Sequence, residues 1–534
     1  MSYFRTMYSG LSRRLKDPKL VGLGCFGLLV AAAVLLLIAS LLLPQIVHPF
    51  AMALWEHWPG LILLGLALAS GVMAVGRGVI FVPLAIFFFI LWIASGIFGE
   101  AWRYEAYLDE TNIQNIQTEP ETTGFRFLPL EVAQTTASNK ISDPTVTPGD
   151  ADPLIDGSQA KWIVPLEPNN FSTKYTGKQP GALVINTTAD VTQDNTEFDP
   201  GYGLCCFNRG IDWNAVGKKF WADYNPRNYM TVLDGETVII QPYLSYHLSW
   251  RGIIPLEVPQ YGGVLVFHSD ESIEDLSPSE AASKYPGGRF FPEEMAEYFS
   301  HAYQYKDGIW NAWFTHQNMP DVPHLGSDSN NNANSDSSKT KPNQFPFLIP
   351  TDSGPEWYSA VEPFGTSKSA YMAYYINATD GTVQTYKFEQ PLVGPDRAES
   401  FVNNAFNQLK GTYFYEPRPV VKGGNLYWML SASASGTPDV QFTALVDAYS
   451  EDVIKLNNQS EVERVVNGED PRKVGEVVSS SSSGSEQSSS SSSRADSSSG
   501  SSSSASSGES TISNAELAKE LREAADRLEK EGGG

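Results

Sequence analysis

The sequence predicts an α+β protein: three N-terminal transmembrane helices, then an extracytoplasmic domain of repeated antiparallel strand-turn-strand units with packed helices, then a Ser-rich tail and a short C-terminal helix. Three observations carry that expectation. Nearly all sustained apolar sequence lies in the first hundred residues, four similar strand-turn-strand segments can be laid over one another between 150 and 460, and residues 477–510 are almost entirely serine.

Residues 1–19 form a basic arm with five Lys/Arg. The first expected span, 20–47, exceeds the roughly 20 apolar residues that a helix needs to cross the hydrocarbon core. It is too long for a signal-peptide core and lacks a small-residue cleavage site. Spans at 60–75 and 79–98 follow, separated by a short tip that contains Arg77. A two-span reading, with 60–98 as a re-entrant element, fits less well because each half is nearly of span length. The positive-inside rule then places the arm and Arg77 in the cytoplasm and everything after Phe98 outside, at a cell membrane or an equivalent viral or host membrane. Trp55, Trp58, Trp92 and Trp102 fall near the expected interfaces, where amphipathic rings anchor.

Charge divides along the same line. Residues 1–99 hold six Lys/Arg against Asp17 and Glu56, net +4, so residues 100–534 carry −28 of the total of −24. A surface that acidic repels phosphate backbones, which argues against nucleic acid as a partner. The 42% hydrophobic and 12% aromatic content is ample for a core in each part of so long a chain.

Beyond the membrane, residues 99–150 read as a polar stalk. The ectodomain then divides into a first half, 151–325, and a second half, 345–476, around an Asn/Ser-rich linker at 326–344. Each half holds two units: 156–193 and 234–276, then 353–388 and 422–456. In each unit a strand turns over through Asn, Asp and Gly, residues that tolerate turn geometry. One hairpin alone is marginal, so every unit needs a second layer. Asp396 and Glu399 read as the cap and third residue of a helix over 396–409. Pro292 is suited to start another, with Met295, Phe299 and Ala302 facing inward.

The Ser-rich tether at 477–510 cannot bury apolar surface. After it, Ser513 and Glu516 form a capping box, and Leu517, Leu521, Ala524 and Leu528 make a heptad seam within a helix at 511–531. That seam is the expected docking face for a protein partner or for self-association.

No nucleotide-binding, zincin or hydrolase motif is present, so no catalytic residue and no cofactor is expected. His301, His316 and His324, with Asp321 between, are weak metal candidates without a tight spacing pair. Asn170, Asn186, Asn377 and Asn458 head glycosylation sequons. Cys205 and Cys206 could form a vicinal disulfide, link two subunits or stay buried and free. The aromatic, Gly-rich stretches around Cys205 and around Trp310 would bind carbohydrate or protein if exposed.

The tract 396–456 resembles a PepSY-type module, an extracytoplasmic helix-plus-antiparallel-sheet domain whose last hairpin reads Val-Asp-Ala, two residues, Gly-Glu-Val. Val446, Asp447 and Ala448 match, the expected Gly is absent, and Val453 is read as closing the turn one residue late. The third unit keeps the other half of the signature, Asn377-Ala378-Thr379-Asp380-Gly381-Thr382-Val383. The resemblance implies a regulatory or binding role, sometimes protease inhibition, and brings no catalytic residues. The expected function is therefore a membrane-anchored binding, assembly or regulatory protein. The alternatives are an extracytoplasmic hydrolase or carbohydrate-active enzyme with a site hidden from sequence, and a subunit of a transporter or of a viral or mobile-element membrane complex.

Overall fold

The computed structural model describes residues 44–77, 81–157, 159–170, 180–187, 189–194, 202–203, 210–323, 345–434 and 436–478. The arm, most of the first expected span, the 326–344 linker, nearly all of the Ser-rich tether and the C-terminal helix lie outside the described residues. Two long helices open the described chain, α1 (Pro44–Arg77) and α2 (Val82–Glu110). Both are apolar and long enough to cross a membrane, over Ile46–Ala74 and Val82–Glu110.

Two expectations fail here. The stretch 48–58, between the expected spans 20–47 and 60–75 and so expected as a loop, is helical, and α1 runs through both Pro49 and Pro59. Its residues divide between two faces: His48 and Met52 are buried, whereas Ile46, Phe50 and Leu54 are exposed. That four-residue spacing is a helix signal that the prolines and polar residues masked. Likewise, α2 does not end at Phe98; it continues to Glu110, with Ala101, Ala106 and Tyr107 buried.

Strand β1 (Ile113–Ile116) then leads into four successive helix-plus-sheet units. The first has α3 (Leu130–Lys140) followed by β2 (Val146–Pro148), β3 (Asp152–Asp156), β4 (Gln159–Pro168), β5 (Ala182–Ile185) and β6 (Val191–Asp194). The second has α4 (Ile211–Lys218), then β7 (Tyr229–Leu233), β8 (Glu236–Arg251), β9 (Ile254–Phe267), β10 (Ile273–Leu276) and a trailing α5 (Pro278–Lys284). The third has α6 (Glu293–Tyr303), a π-helical turn at Asn311–Thr315, β11 (Pro320–Asp321), β12 (Phe347–Thr351), β13 (Gly354–Pro363), β14 (Ser369–Asn377) and β15 (Val383–Val393). The fourth has α7 (Pro395–Ala405), β16 (Thr412–Lys422), β17 (Asn425–Ala434), β18 (Val440–Asp447), β19 (Val453–Leu456), trailing α8 (Gln459–Val466) and α9 (Pro471–Val474), and β20 (Glu476–Val478) on β19. Each sequence unit thus falls in its own sheet and is antiparallel within it. Helix α7 starts earlier than expected: Gly394 is its N-cap, and Asp396 instead pairs with Lys368 at 2.7 Å.

The repeat has a physical signature. Each meander opens with a two-residue turn, set by the pairs Asp156 with Gln159, Leu233 with Glu236, Thr351 with Gly354, and Lys422 with Asn425. Three residues past Gln159, Glu236, Gly354 and Asn425, which close these turns, stand Trp162, Ile239, Trp357 and Trp428. The three indoles are among the largest fully buried side chains. Each donates its N–H to a carbonyl just before the helix of its own unit: Trp162 to Leu128 at 2.9 Å, Trp357 to Phe291 at 2.9 Å and Trp428 to Val393 at 2.7 Å. The indole therefore pins the helix start to its sheet; a buried carbonyl without such a donor costs about 1–3 kcal/mol.

The late turns of units three and four also match. Asn377 Oδ1 accepts the N–H groups of Thr379 and Asp380, and Asp447 Oδ1 accepts those of Tyr449 and Ser450. Gly381 N and Glu451 N then donate to the carbonyls of Asn377 and Asp447, both at 2.9 Å. Gly381 has φ 81° and Glu451 φ 65°. The two turns have equal length, so Val453 is in step and not late. Glu451 occupies the left-handed position that Gly381 fills, and at Gly381 a Cβ would run into the Phe291 ring.

The layers follow from strands buried on both faces, which need no polar alternation. Helix α3 packs on the Trp162 face of its sheet. The opposite face, with Ile163 and Leu154, meets α4 and the second sheet through Ile211, Ile239 and Phe267. Helix α5 then covers Val238 and Ile240 on the far side. Units three and four repeat this order: α6 sits on the Trp357 face, α7 and the fourth sheet meet Tyr358 and Tyr375, and α8 covers Met429 and Leu445. Helix, sheet, helix, sheet, helix therefore occurs twice in tandem.

Residues 99–150 are not a stalk. Beyond α2 they thread between the sheets: β1 pairs in parallel with β15, and Glu119 accepts a 2.7 Å hydrogen bond from Tyr375. Thr122 bridges to Thr351 and bonds Val421, and buried Arg126 pairs with Glu416 at 3.0 Å. The polar composition that suggested a solvated tether supplies buried partners.

Candidate functional site at the base of the helical hairpin

Polar side chains gather at the joint between the two long helices and the repeats. His48 Nε2 lies 2.8 Å from the Ala222 carbonyl oxygen, and Arg103 pairs with Glu56 at 3.2 Å. The Trp58 indole donates to Glu257, a carboxylate whose pKa burial raises. Arg251, near the β8–β9 turn, pairs with Glu105 at 3.3 Å and Asp109 at 3.0 Å, and Glu105 also accepts the Ile309 N–H at 3.0 Å. Tyr104 and Tyr107 on α2 pack against Tyr298 of α6, both at 5.0 Å between ring centroids.

Between α1, α4 and β8 opens a cleft of about 340 Å³, lined among others by His48, Met52, Glu56, Asp212, Asp223 and Tyr246. Buried Asp223 accepts 2.6 Å and 2.9 Å bonds from the Tyr246 hydroxyl and the Asn225 N–H. Glu56 is held by Arg103 and Asp223 by Tyr246 and Asn225, so the acidic lining of the cleft is largely engaged within the protein. The sequence offered little hint of the cleft, because Glu56 lies in the stretch read as a loop and Asp212 and Asp223 lie in different segments.

The residues singled out in the sequence do not converge. His301 and Asp321 share a small pocket of about 210 Å³ with Glu297, Ser300 and Gln304. His316 is elsewhere, stacked on Phe364 at 4.5 Å, and His324 lies outside the described residues. Among the described residues no three His, Cys, Asp or Glu side chains group as metal ligands. Cys205 and Cys206, and Leu517, Leu521, Ala524 and Leu528, also lie outside them.

Of the sequon residues, Asn170 and Asn458 are exposed. Asn458 caps α8 by accepting the Glu461 N–H at 3.0 Å. Asn186 bonds Asp190 at 3.4 Å. Asn377 shapes its turn, and Thr379 of the same sequon is buried with its hydroxyl on the Gly288 carbonyl at 2.7 Å. Glu293 and Glu294 sit in the first turn of α6, and Glu294 accepts the Arg227 N–H at 2.9 Å.

Several carboxylates are held protonatable inside the body. Burial pushes Glu119, Glu293, Glu356 and Glu362 up to about 7, against opposing hydrogen bonds from Tyr375 at Glu119 and from Thr351 at Glu356. Burial raises Asp152 to about 6, although Arg227 pairs with it. They fall in two places: Glu119 meets Tyr375 opposite the strand that carries Glu356 and Glu362, whereas Asp152 and Glu293 share Arg227 and Arg289 as neighbours.

No family model, no curated protein and no solved structure matches the chain. What fold and site define is an α+β protein with, among the described residues, two helices near the N-terminus apolar and long enough to cross a membrane.

Proposed function

We propose that this is a multi-pass membrane-anchored protein that presents its repeat body on the extracytoplasmic side as a binding, assembly or regulatory platform. In this reading it has no catalytic activity of its own and recruits a partner through residues 511–531. The observation that supports the platform is the joint: His48, Trp58, Glu105 and Arg251 tie α1 and α2 into the repeats. A domain bonded to its anchor in this way transmits position, as a scaffold requires, whereas a leashed domain would not. The Ser-rich tether then serves a separate purpose, extending the reach of the terminal helix. The PepSY-like hairpins agree with a regulatory or binding role and add no reaction.

Affinity capture with the full chain and with a chain lacking 509–534 tests the recruiting role. The full chain is expected to retain partners that the truncated chain loses. Identical partners in both captures would remove the docking role from the helix.

A further inference from the structure

The helical hairpin carries its own height scale. A Cβ on Gly60 would lie 3.8 Å from Ser95 Oγ and 4.0 Å from Trp92, so these positions face one another across α1 and α2. Trp55 precedes Gly60 by five residues and Phe98 follows Ser95 by three, or about 7.5 Å and 4.5 Å along the helices. Trp55 and Phe98 therefore stand within about 3 Å of the same height. On the tip side of that height the helices expose Leu61, Ile62, Leu66, Val72, Phe89 and Ile90 to the surroundings. On the other side come Glu100, Arg103 and Glu105, while Glu56 lies within about 2 Å of the height itself. From that height about 33 Å of α1 runs to Arg77 and about 24 Å of α2 runs back to Val82, which together bracket the roughly 30 Å of a hydrocarbon core.

At this one height the repeat body contributes two aromatic pads from two different units. Beyond α4, Trp221 packs on Trp55 with centroids 5.5 Å apart, yet its side of the molecule is open and it remains 65% exposed. Beyond α6, the π-helical turn stacks Trp313 on Phe98 at 5.3 Å and 18°. The same turn leaves Trp310 and Phe314, 4.6 Å apart, at 69% and 61% exposure. Single exposed apolar residues are ordinary on any surface. Large rings paired on two sides of a hairpin, both at the end of its apolar stretch, are the arrangement in which Trp prefers the boundary between lipid and water.

We infer that Trp221 on one side, and Trp310 with Phe314 on the other, form an interfacial collar that seats the repeat body in the phospholipid headgroup layer. The partner is the bilayer itself, and the inference rests on the reading of α1 and α2 as membrane-crossing. The collar adds a second restraint to the helices: it fixes the tilt of the body, so that the acidic cleft beside Trp221 opens at the membrane surface.

The test places the photocrosslinker p-benzoylphenylalanine in the full-length chain, in separate samples, at Trp221, Trp310, Leu68 and Tyr449, reconstituted in phosphatidylcholine vesicles that contain an alkyne-tagged phospholipid. All four side chains are exposed, so folding is not at stake. Illumination is expected to give tagged-lipid adducts at Trp221 and Trp310, several-fold above the yield at Tyr449 and alongside a strong adduct at Leu68. Adducts at Leu68 with none above the Tyr449 level at Trp221 and Trp310 would overturn the collar and leave the spanning hairpin intact. Absence of an adduct at Leu68 as well would overturn both.

Discussion

Replacing Glu416 by Ala is expected to cost about 3–5 kcal/mol, enough to remove most of the stability of a typical folded protein. Glu416 lies at an irregularity in β16, where pairing with β17 shifts register between Tyr415 and Arg418, and its φ is 52°. That conformation is rare for a residue with a side chain, and here it aims the carboxylate inward. The side chain is 5% exposed and pairs with Arg126 at 3.0 Å, while its other oxygen accepts the Leu130 N–H at 2.7 Å at the start of α3. Arg418 lies 3.8 Å away, also buried, and donates to the Arg126 carbonyl and to Ser431. Without the carboxylate two buried guanidinium groups face each other uncompensated, and the first unit loses its hold on the fourth. Chemical denaturation of the detergent-solubilised chain measures the loss. Glu416→Gln, which keeps the shape and the acceptor oxygen, should fall between wild type and Ala; an Ala variant within about 1 kcal/mol of wild type would contradict a buried charge at this joint.

A fall in stability between about pH 5 and about pH 7.5 is the second large expectation. Glu119, Glu293, Glu356 and Glu362 have folded-state values of about 7, raised chiefly by burial from an ordinary 4.5. Below the ordinary value each is neutral in both states, so burial carries no charge penalty. Between the two values the folded state holds the extra proton, and each rise in pH weakens it until the folded value is passed. The largest contribution from Glu119 or Glu356, which are 7% and 1% exposed, is on the order of 3 kcal/mol each. An opposite trend appears further down. The Lys284 hydrogen bond holds Glu274 below its ordinary value, and that contribution is lost as pH falls through the lowered value. Melting profiles across this range should therefore peak near pH 5. Glu119→Gln should raise the melting temperature at about pH 7.5 and leave it unchanged at about pH 5, since Gln still accepts from the Tyr375 hydroxyl. Equal melting temperatures for wild type at both pH values would show that these carboxylates are not buried charges at neutral pH.

The parts legible in the sequence are those written in local periodicity. The apolar runs around 60–75 and 79–98, the four strand-turn-strand segments and the inward face Met295, Phe299 and Ala302 each depend on spacing along a few turns or strands. What stayed hidden depends on distant partners. The thread from Ile113 to Leu128 reads as polar filler until Tyr375, Val421 and Glu416 arrive from more than two hundred residues away to satisfy it. The helix across 48–58 was hidden because Pro49 and Pro59 are strong break signals, and the docked face that outweighs them is visible only in three dimensions. The tandem Trp positions could have been found: each lies at the same step past a two-residue turn, a regularity obscured because Ile239 replaces the indole in the second unit. The cleft was not legible, since its carboxylates gain meaning only when α1 is laid against α4.

Sidedness tests the central claim most directly, because the account requires the hairpin tip and the repeat body to lie on opposite faces of one membrane. Single cysteines in place of Arg77 and of exposed Tyr449, in a full-length chain whose three natural cysteines are Ser, can be offered a membrane-impermeant maleimide on intact cells and again after permeabilisation. The account predicts labelling of Tyr449→Cys in intact cells and of Arg77→Cys after permeabilisation alone. Labelling of both positions from the same side would contradict it.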